Sequence, residues 1–179
     1  MFLRHNTVLV IIDVQGKLAR IMQNSEHLFQ QLGILIDGAR ILEIPIIWME
    51  QLPHKLGETV DEVKSHLQGI APLSKDVFSC CGEPSFNSKL ESLKPSNILL
   101  AGIETHICIY QTAIDLINNN YHVEVVTDAT STRNPENKII GINKIIRAGG
   151  EETSVEMTLF ELQKTATGKN FKSIINLLT

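Results

Sequence analysis

Cysteine is scarce in this chain: it occurs three times in 179 residues, and two of the three, Cys80 and Cys81, are adjacent. Adjacent cysteines rarely bridge to each other, so this content does not suggest a disulfide framework. The asparagines also lack the Asn-x-Ser/Thr spacing of glycosylation sites. We therefore expect a protein of the reducing cytoplasm.

Runs of like charge and long apolar runs are lacking as well. The formal net charge of −4 is spread along the chain, which predicts neither a nucleic-acid partner nor an anionic membrane surface. The first apolar run, 8–12, is short and closes on Asp13, so it resembles neither a secretory signal nor a membrane span. No glycine-rich phosphate loop is present, and Gly149-Gly150 is interpreted as a helix end.

Apolar β-rich segments alternate with helical patterns along the sequence. The strand candidates are 7–12, 45–50, 98–103 and 121–127, with 76–81 and 153–155 weaker. A period near 3.6 predicts helices over 26–44 and 105–119, and a third helix begins at Pro135 and stops at Gly149. We predict a single α/β domain over 1–179. Its doubly wound, mostly parallel Rossmann-like sheet has about six strands in the order 3-2-1-4-5-6, with helices on both faces.

Polar residues follow the predicted strands. Asp13 ends the first, Glu50-Gln51 the second, Glu104-Thr105 the fourth and Asp128 the fifth. Ligands of such sheets bind beyond the carboxyl ends of the strands, where the strand order reverses. With strands one and four adjacent at that point, Asp13 and the turn after strand four share one crevice.

That turn carries the strongest chemical signal. The apolar run from Ile98 passes Gly102 and places Cys108 in the first turn of the next predicted helix. A helix N-terminus favours the nucleophilic thiolate, and Asp13 beside it could accept the thiol proton, return it to a leaving amine and later activate water. A cation such as Lys75 would keep that carboxylate charged. Each residue also has a purely structural interpretation. Cys108 could be an inert buried cysteine, Asp13 could cap a backbone turn, and Lys75 could be a solvated surface lysine.

Three motifs resemble the isochorismatase-like cysteine hydrolases. They are Asp13-Val14-Gln15, Lys75 with Phe78-Ser79, and the Ala-Gly-Ile-Glu-Thr-His-Ile-Cys turn that ends at Cys108. The resemblance runs from the first strand to about Asp128. Glu50-Gln51-Leu52-Pro53 with Leu56-Gly57 further resembles the isochorismatase-domain-containing proteins.

The resemblance implies a catalytic triad of Asp13, Lys75 and Cys108. It implies hydrolysis of a small amide, ureide or ester through a Cys108-bound intermediate, with Asp13 as acid and base and Lys75 as electrostatic partner. It also implies a cis peptide at Ile103–Glu104, which would aim backbone N–H groups of Glu104 and Cys108 at an oxyanion. Relatives form dimers or larger assemblies, so a homo-oligomer acting on a small molecule is expected. The substrate-pocket candidates are Gln51, Phe78 and Thr105.

Two differences from characterised members of the family narrow the range of expected cofactors and substrates. Nicotinamidases carry a metal set written Asp-x-His with a second His, whereas this region offers Glu50, Gln51, His54 and His66 without that spacing. We therefore expect no catalytic metal, no cofactor, and a substrate other than nicotinamide. Isochorismatases that cleave a vinyl ether typically lack the cysteine, so Cys108 argues against that reaction.

Two alternatives remain. The first is a non-catalytic or regulatory binding protein on the same fold. The second is a Mg²⁺-dependent phosphoryl-transfer domain built on Asp13, Lys75, Thr105 and Asp128. That chemistry needs a second acidic residue beside the first, and Asp13-Val14-Gln15 supplies glutamine instead.

Overall fold

A computed structural model describes residues 2–179, and its six strands form one parallel sheet. The strands are β1 Thr7–Ile12, β2 Ile46–Gln51, β3 Leu73–Lys75, β4 Asn97–Ile103, β5 His122–Ser131 and β6 Glu151–Thr153. Every pair of neighbours runs parallel, in the order β3-β2-β1-β4-β5-β6. This confirms the strand order expected from the sequence.

Nine α-helices connect and cover these strands within the described residues. They are α1 Gly16–Arg20, α2 Ser25–Ile41, α3 Pro53–Leu56, α4 Asp61–Lys64, α5 Pro84–Leu93, α6 Tyr110–Asn118, α7 Pro135–Arg147, α8 Val155–Gln163 and α9 Lys169–Leu178. Short 3₁₀ turns lie at Arg4–Asn6, Ser65–Leu67 and Cys80–Gly82, and a π-helical turn spans Thr105–Ile109. From residue 2 to residue 179, none of the helices has the length and apolar character needed to cross a membrane.

Strand β1 shows why the sheet is covered on both faces. All six of its residues are buried, and successive side chains of a strand point to opposite faces. Leu9 and Ile11 join an apolar core with residues of α2, α8 and α9, whereas Val8, Val10 and Ile12 join a second core with residues of α5, α6 and α7. The continuous apolar run therefore contributes side chains to both cores, which stabilises β1 at the centre of the sheet.

Two expectations about local structure are wrong. The segment 76–81 is not a strand, because the third strand is Leu73–Lys75 and ends where that segment would begin. The predicted helix 105–119 begins as a wider π-helical turn over Thr105–Ile109 and becomes α-helical at Tyr110. Both differences concern residues at the carboxyl edge of the sheet, where tertiary contacts outweigh local propensity.

Candidate active site

The carboxyl edge of the sheet brings together side chains at the ends of four adjacent strands. Gln51 and Lys75 end β2 and β3 and are register partners, and Asp13 directly follows β1. Cys108 lies in the π-helical turn after β4, the other neighbour of β1. The topology thus places the three residues of the predicted triad at one edge.

Lys75 is the centre of the hydrogen-bond network. Its side chain is fully buried, and Nζ donates to Asp13 Oδ2 over 2.6 Å and to Gln51 Oε1 over 3.0 Å. Further acceptors are the backbone carbonyls of Val77 at 3.1 Å and Phe78 at 3.2 Å. Burial acts to lower the pKa of Lys75, but the charges of Asp13 and of nearby cysteines raise it above its ordinary value. Lys75 is therefore held as an ammonium ion that only donates.

Asp13 presents one carboxylate oxygen to Lys75 and leaves the other free. Oδ1 is buried and has no hydrogen-bond partner among residues 2–179. The backbone of Asp13 has φ of 56°, a left-handed conformation that aspartate tolerates better than most residues. Burial raises the pKa of the Asp13 carboxyl above its ordinary value, against the opposing effect of Lys75. A buried acceptor with a raised pKa is suited to taking a proton.

Cys108 is held as a thiol in the resting site. Its Sγ donates to Gln51 Oε1 over 3.4 Å, and only 6% of the residue is exposed. Burial raises the pKa of Cys108, and the negative charge of Asp13 raises it further, whereas Lys75 lowers it. Desolvation and the neighbouring carboxylate thus oppose the ionisation that the helix start is expected to favour. Deprotonation requires a base.

The turn that carries Cys108 is closely packed against β1. Gly102 has φ of 117°, and a Cβ there would lie 2.1 Å from the carbonyl oxygen of Ile12. The Ile103–Glu104 peptide is cis, as the family resemblance implied. The amides of Ile107 and Ile109 both donate to the carbonyl oxygen of Glu104, over 3.0 and 3.3 Å. These two N–H groups therefore form hydrogen bonds within the turn.

The side chains that flank Cys108 anchor the turn to the segment after β5. The buried Glu104 carboxylate accepts from the backbone N–H of Arg133 at 3.0 Å and from its guanidinium, with an N–O distance of 3.0 Å. Thr105 is fully buried, and its hydroxyl donates to the Ser131 carbonyl over 3.0 Å. The hydroxyl of Thr105 is thus bonded inside the protein, and contact of Thr105 with a substrate stays a prediction.

Gln15 is a site residue that sequence reasoning quoted only as part of a motif. Its fully buried carboxamide accepts from the N–H of Gln51 over 2.7 Å and donates to the carbonyl oxygens of Gln51 at 3.0 Å and Gly57 at 2.7 Å. The available signal was an amide side chain three residues after a strand buried on both faces. Gln15 fixes the backbone from which Gln51 reaches the site.

The other residues that the sequence analysis considered lie at the edge of the Lys75 hydrogen-bond network or outside it. Phe78 contributes its carbonyl oxygen to Lys75, while 52% of the residue is exposed, and contact of its ring with a substrate stays a prediction. Glu50 accepts from the amide and hydroxyl of Thr59, each over 2.7 Å, and His66 pairs with Asp37 at 2.9 Å. Within the part of the chain that the structure describes, no cluster of three His, Cys, Asp or Glu side chains has the arrangement of a metal site.

Comparisons with known proteins identify the family of this chain. Residues 7–157 match the family model of the isochorismatase domain. Isochorismatase domain-containing protein 2 of Danio rerio is 34% identical over 173 residues, which cover 96% of this chain and 86% of that protein.

Solved structures share the fold. A structure titled as the MAR1 ribonuclease of Caenorhabditis elegans superposes with a TM-score of 0.93 at 34% identity, covering 99% of this chain and 92% of that one. The YcaC gene product of Escherichia coli, titled an octameric hydrolase of unknown specificity, has a TM-score of 0.92 at 17% identity, covering 98% and 89% of the two chains. The family model and the Danio rerio relative together establish that this chain belongs to the isochorismatase family.

Proposed function

We propose that the protein is a cysteine hydrolase that cleaves a small amide, ureide or ester. The observation that carries the proposal is the continuous network from Asp13 through Lys75 and Gln51 to Cys108. A carboxylate with one free oxygen, a fixed cation and a thiol are buried together at the edge where α/β sheets bind their ligands.

The first step is removal of the thiol proton. Cys108 is the nucleophile and Asp13 Oδ1, which lacks a partner among the described residues, is the acceptor. Because the Asp13 pKa is raised by burial, its affinity for the proton is closer to that of the thiolate than an ordinary carboxylate's would be. Lys75 stays bound to Oδ2, so its charge stabilises both the carboxylate and the developing thiolate.

The bond changes then follow in two stages. The Cys108 thiolate attacks the carbonyl carbon, a carbon–sulfur bond forms, and the oxyanion faces the backbone N–H groups of Glu104 and Cys108. Asp13 returns its proton to the leaving nitrogen or oxygen as that bond to carbon breaks. Water, deprotonated by Asp13, attacks the resulting thioester. As the carbon–sulfur bond breaks, the acid is released and Asp13 passes its proton to the Cys108 sulfur.

Acyl transfer from an activated ester tests this proposal without knowledge of the natural substrate. We expect p-nitrophenyl acetate to release nitrophenolate and to leave an acetyl group on Cys108, located by peptide mass spectrometry. Cys108→Ala should remove both signals, whereas the matched variant Cys81→Ala should retain them, since that partly buried thiol is not bonded to the network. Acetylation confined to Cys81, or undiminished release by Cys108→Ala, would contradict the assignment. A folded wild-type protein that is not acetylated at all would favour a non-catalytic binding protein.

Assembly and location belong to the same proposal. We expect a homo-oligomer, because α7 exposes Ile139 and Ile140 by 63% and 54% and α8 exposes Met157 by 61%. Light scattering on the purified protein measures its mass, and a monomer would contradict the expectation. A cytoplasmic location is proposed from the three free cysteines, and fractionation of the source cells tests it.

A further inference from the structure

The carboxamide of Gln51 has an orientation that its neighbours dictate. Lys75 carries only donors, so the atom that faces it at 3.0 Å must be the acceptor Oε1. The Cys108 thiol donates to the same oxygen. Nε2, with its two N–H groups, therefore points away from the buried lysine.

Nε2 is free to bind a further group. Across residues 2–179 it has no hydrogen-bond partner, and it is not among the buried polar atoms that lack one, so it is in contact with solvent. Gln51 is partly exposed, whereas Asp13, Lys75 and Cys108 are all buried. Its Nε2 is thus a polar side-chain atom of this network that solvent reaches.

The donor is also rigidly placed. Gln15 binds the N–H and the carbonyl oxygen of Gln51, and the next amide, that of Leu52, donates to the Lys75 carbonyl over 2.9 Å. With the backbone held by Gln15 and Oε1 held by Lys75, little conformational entropy remains to be lost when Nε2 binds a partner. A donor that is already held in place loses less conformational entropy on binding, so its hydrogen bond contributes more to affinity.

The strand order separates this donor from the oxyanion site. Gln51 ends β2, on one side of β1, whereas Glu104 and Cys108 follow β4, on the other side. Cys108 Sγ nevertheless lies 3.4 Å from Oε1 of the same carboxamide, so Nε2 lies close to a carbon bonded to that sulfur. With the amides of Glu104 and Cys108 assigned to the carbonyl oxygen, Nε2 is available for a different acceptor near that carbon.

We propose that Gln51 is a specificity-determining residue whose Nε2 donates to a second acceptor oxygen beside the scissile carbonyl. The substrate class is accordingly acyl compounds with an oxygen on the neighbouring atom, such as α-hydroxy, α-alkoxy or α-keto amides and esters. This inference rests on the proposed hydrolase function, because it takes Cys108 as the attacking group.

Two isosteric esters test the inference. p-Nitrophenyl methoxyacetate carries an ether oxygen where p-nitrophenyl butyrate carries a methylene group, and the acylation rate of Cys108 is measured with each. The ratio of the two rates for the wild-type protein should exceed the ratio for N-acetylcysteine by about fivefold to tenfold, the contribution of one hydrogen bond. Gln51→Met and Gln51→Glu both lack the donor, and each should return the ratio to that of N-acetylcysteine. Gln30→Met, at an exposed glutamine of α2, should keep the wild-type ratio.

The outcomes separate the two proposals. A wild-type ratio equal to that of N-acetylcysteine, or a ratio that either Gln51 variant leaves unchanged, would overturn the role of Gln51 while Cys108 remains the nucleophile. If neither ester acylates Cys108 in the wild-type protein, the hydrolase function itself fails. The wild-type comparison requires no variant to fold, so a ratio equal to that of N-acetylcysteine overturns the role of Gln51 by itself.

Discussion

The carboxamide of Gln15 binds the backbone of Gln51 on both sides, accepting from its N–H over 2.7 Å and donating to its carbonyl oxygen over 3.0 Å. The two residues are 36 positions apart: Gln15 follows β1, whereas Gln51 ends the adjacent strand β2. Gln15 therefore acts on the site without touching Lys75 or Cys108 in the hydrogen-bond network. It is a positioning residue for Gln51.

Replacement of Gln15 should weaken both the fold and the site. Gln15→Leu leaves the N–H and carbonyl of Gln51 and the carbonyl of Gly57 without this partner, which should cost about 2–4 kcal/mol of unfolding free energy. Urea denaturation measures the loss, and the acylation rate of Cys108 should fall in parallel. Gln30→Leu, on the exposed face of α2, should change stability by less than about 0.5 kcal/mol. Equal effects of the two variants would contradict this role.

The Asp13–Lys75 pair should show strong coupling. Lys75→Met leaves a buried carboxylate without its cation, which should destabilise the protein by about 3–5 kcal/mol and raise the pKa of Asp13 further. The double variant Lys75→Met/Asp13→Asn should recover part of that stability. Acylation of Cys108 should be abolished in this variant, because no base remains to accept the thiol proton. Lys17→Met, at an exposed lysine, is the control. Additive losses in the double-mutant cycle would show that the pair is not coupled.

Glu124 should make stability depend on pH. Burial raises the pKa of Glu124 from its ordinary value of 4.5 to about 7, and Glu161 and Glu151 raise it as well. The folded state therefore holds a proton that the unfolded chain releases, so this contribution is complete below 4.5 and is lost as pH rises through about 7.

Glu124→Gln should remove this dependence. After allowance for solvent screening, the variant should gain stability over the wild type on the order of 1 kcal/mol at pH above 8 and little in acid. Denaturant unfolding over a pH series measures the difference. Glu91→Gln, at an exposed carboxyl of α5, should follow the wild-type curve. If the wild type is more stable than Glu124→Gln above pH 8, the sign assigned to the effect of Glu124 ionisation on stability is wrong.

Gly102 should not accept a side chain. Its φ is 117°, and a Cβ at this position would lie only 2.1 Å from the Ile12 carbonyl oxygen, so Gly102→Ala must push β4 away from β1. We expect a loss of about 3 kcal/mol or more, measured by thermal or urea unfolding. Gly69→Ala is the matched control, because that glycine also has positive φ but open space around it, and it should cost about 1–2 kcal/mol. Similar losses at both positions would show that close packing does not decide the effect.

The central strands and the positions of Asp13 and Cys108 were accessible from the sequence because their signals are local. The apolar run that ends at Asp13 indicates a strand buried on both faces, and the run through Gly102 to Cys108 indicates a strand, a tight turn and a helix start. Neighbouring parallel strands then bring Asp13 and Cys108 to one edge. The family motifs added Lys75, which no periodicity locates, since β3 has only three residues.

The protonation state and the hydrogen-bond partners were decided by tertiary structure alone. Cys108 is a thiol because burial and Asp13 oppose its ionisation, and desolvation cannot be read from a residue's neighbours in sequence. The Thr105 hydroxyl is bonded to the Ser131 carbonyl, 26 residues away, a partner that no local pattern indicates. Local pattern thus determined the strands and the nucleophile turn. Contacts between residues far apart in the chain determined the charge, the orientation and the accessibility of the groups at the site.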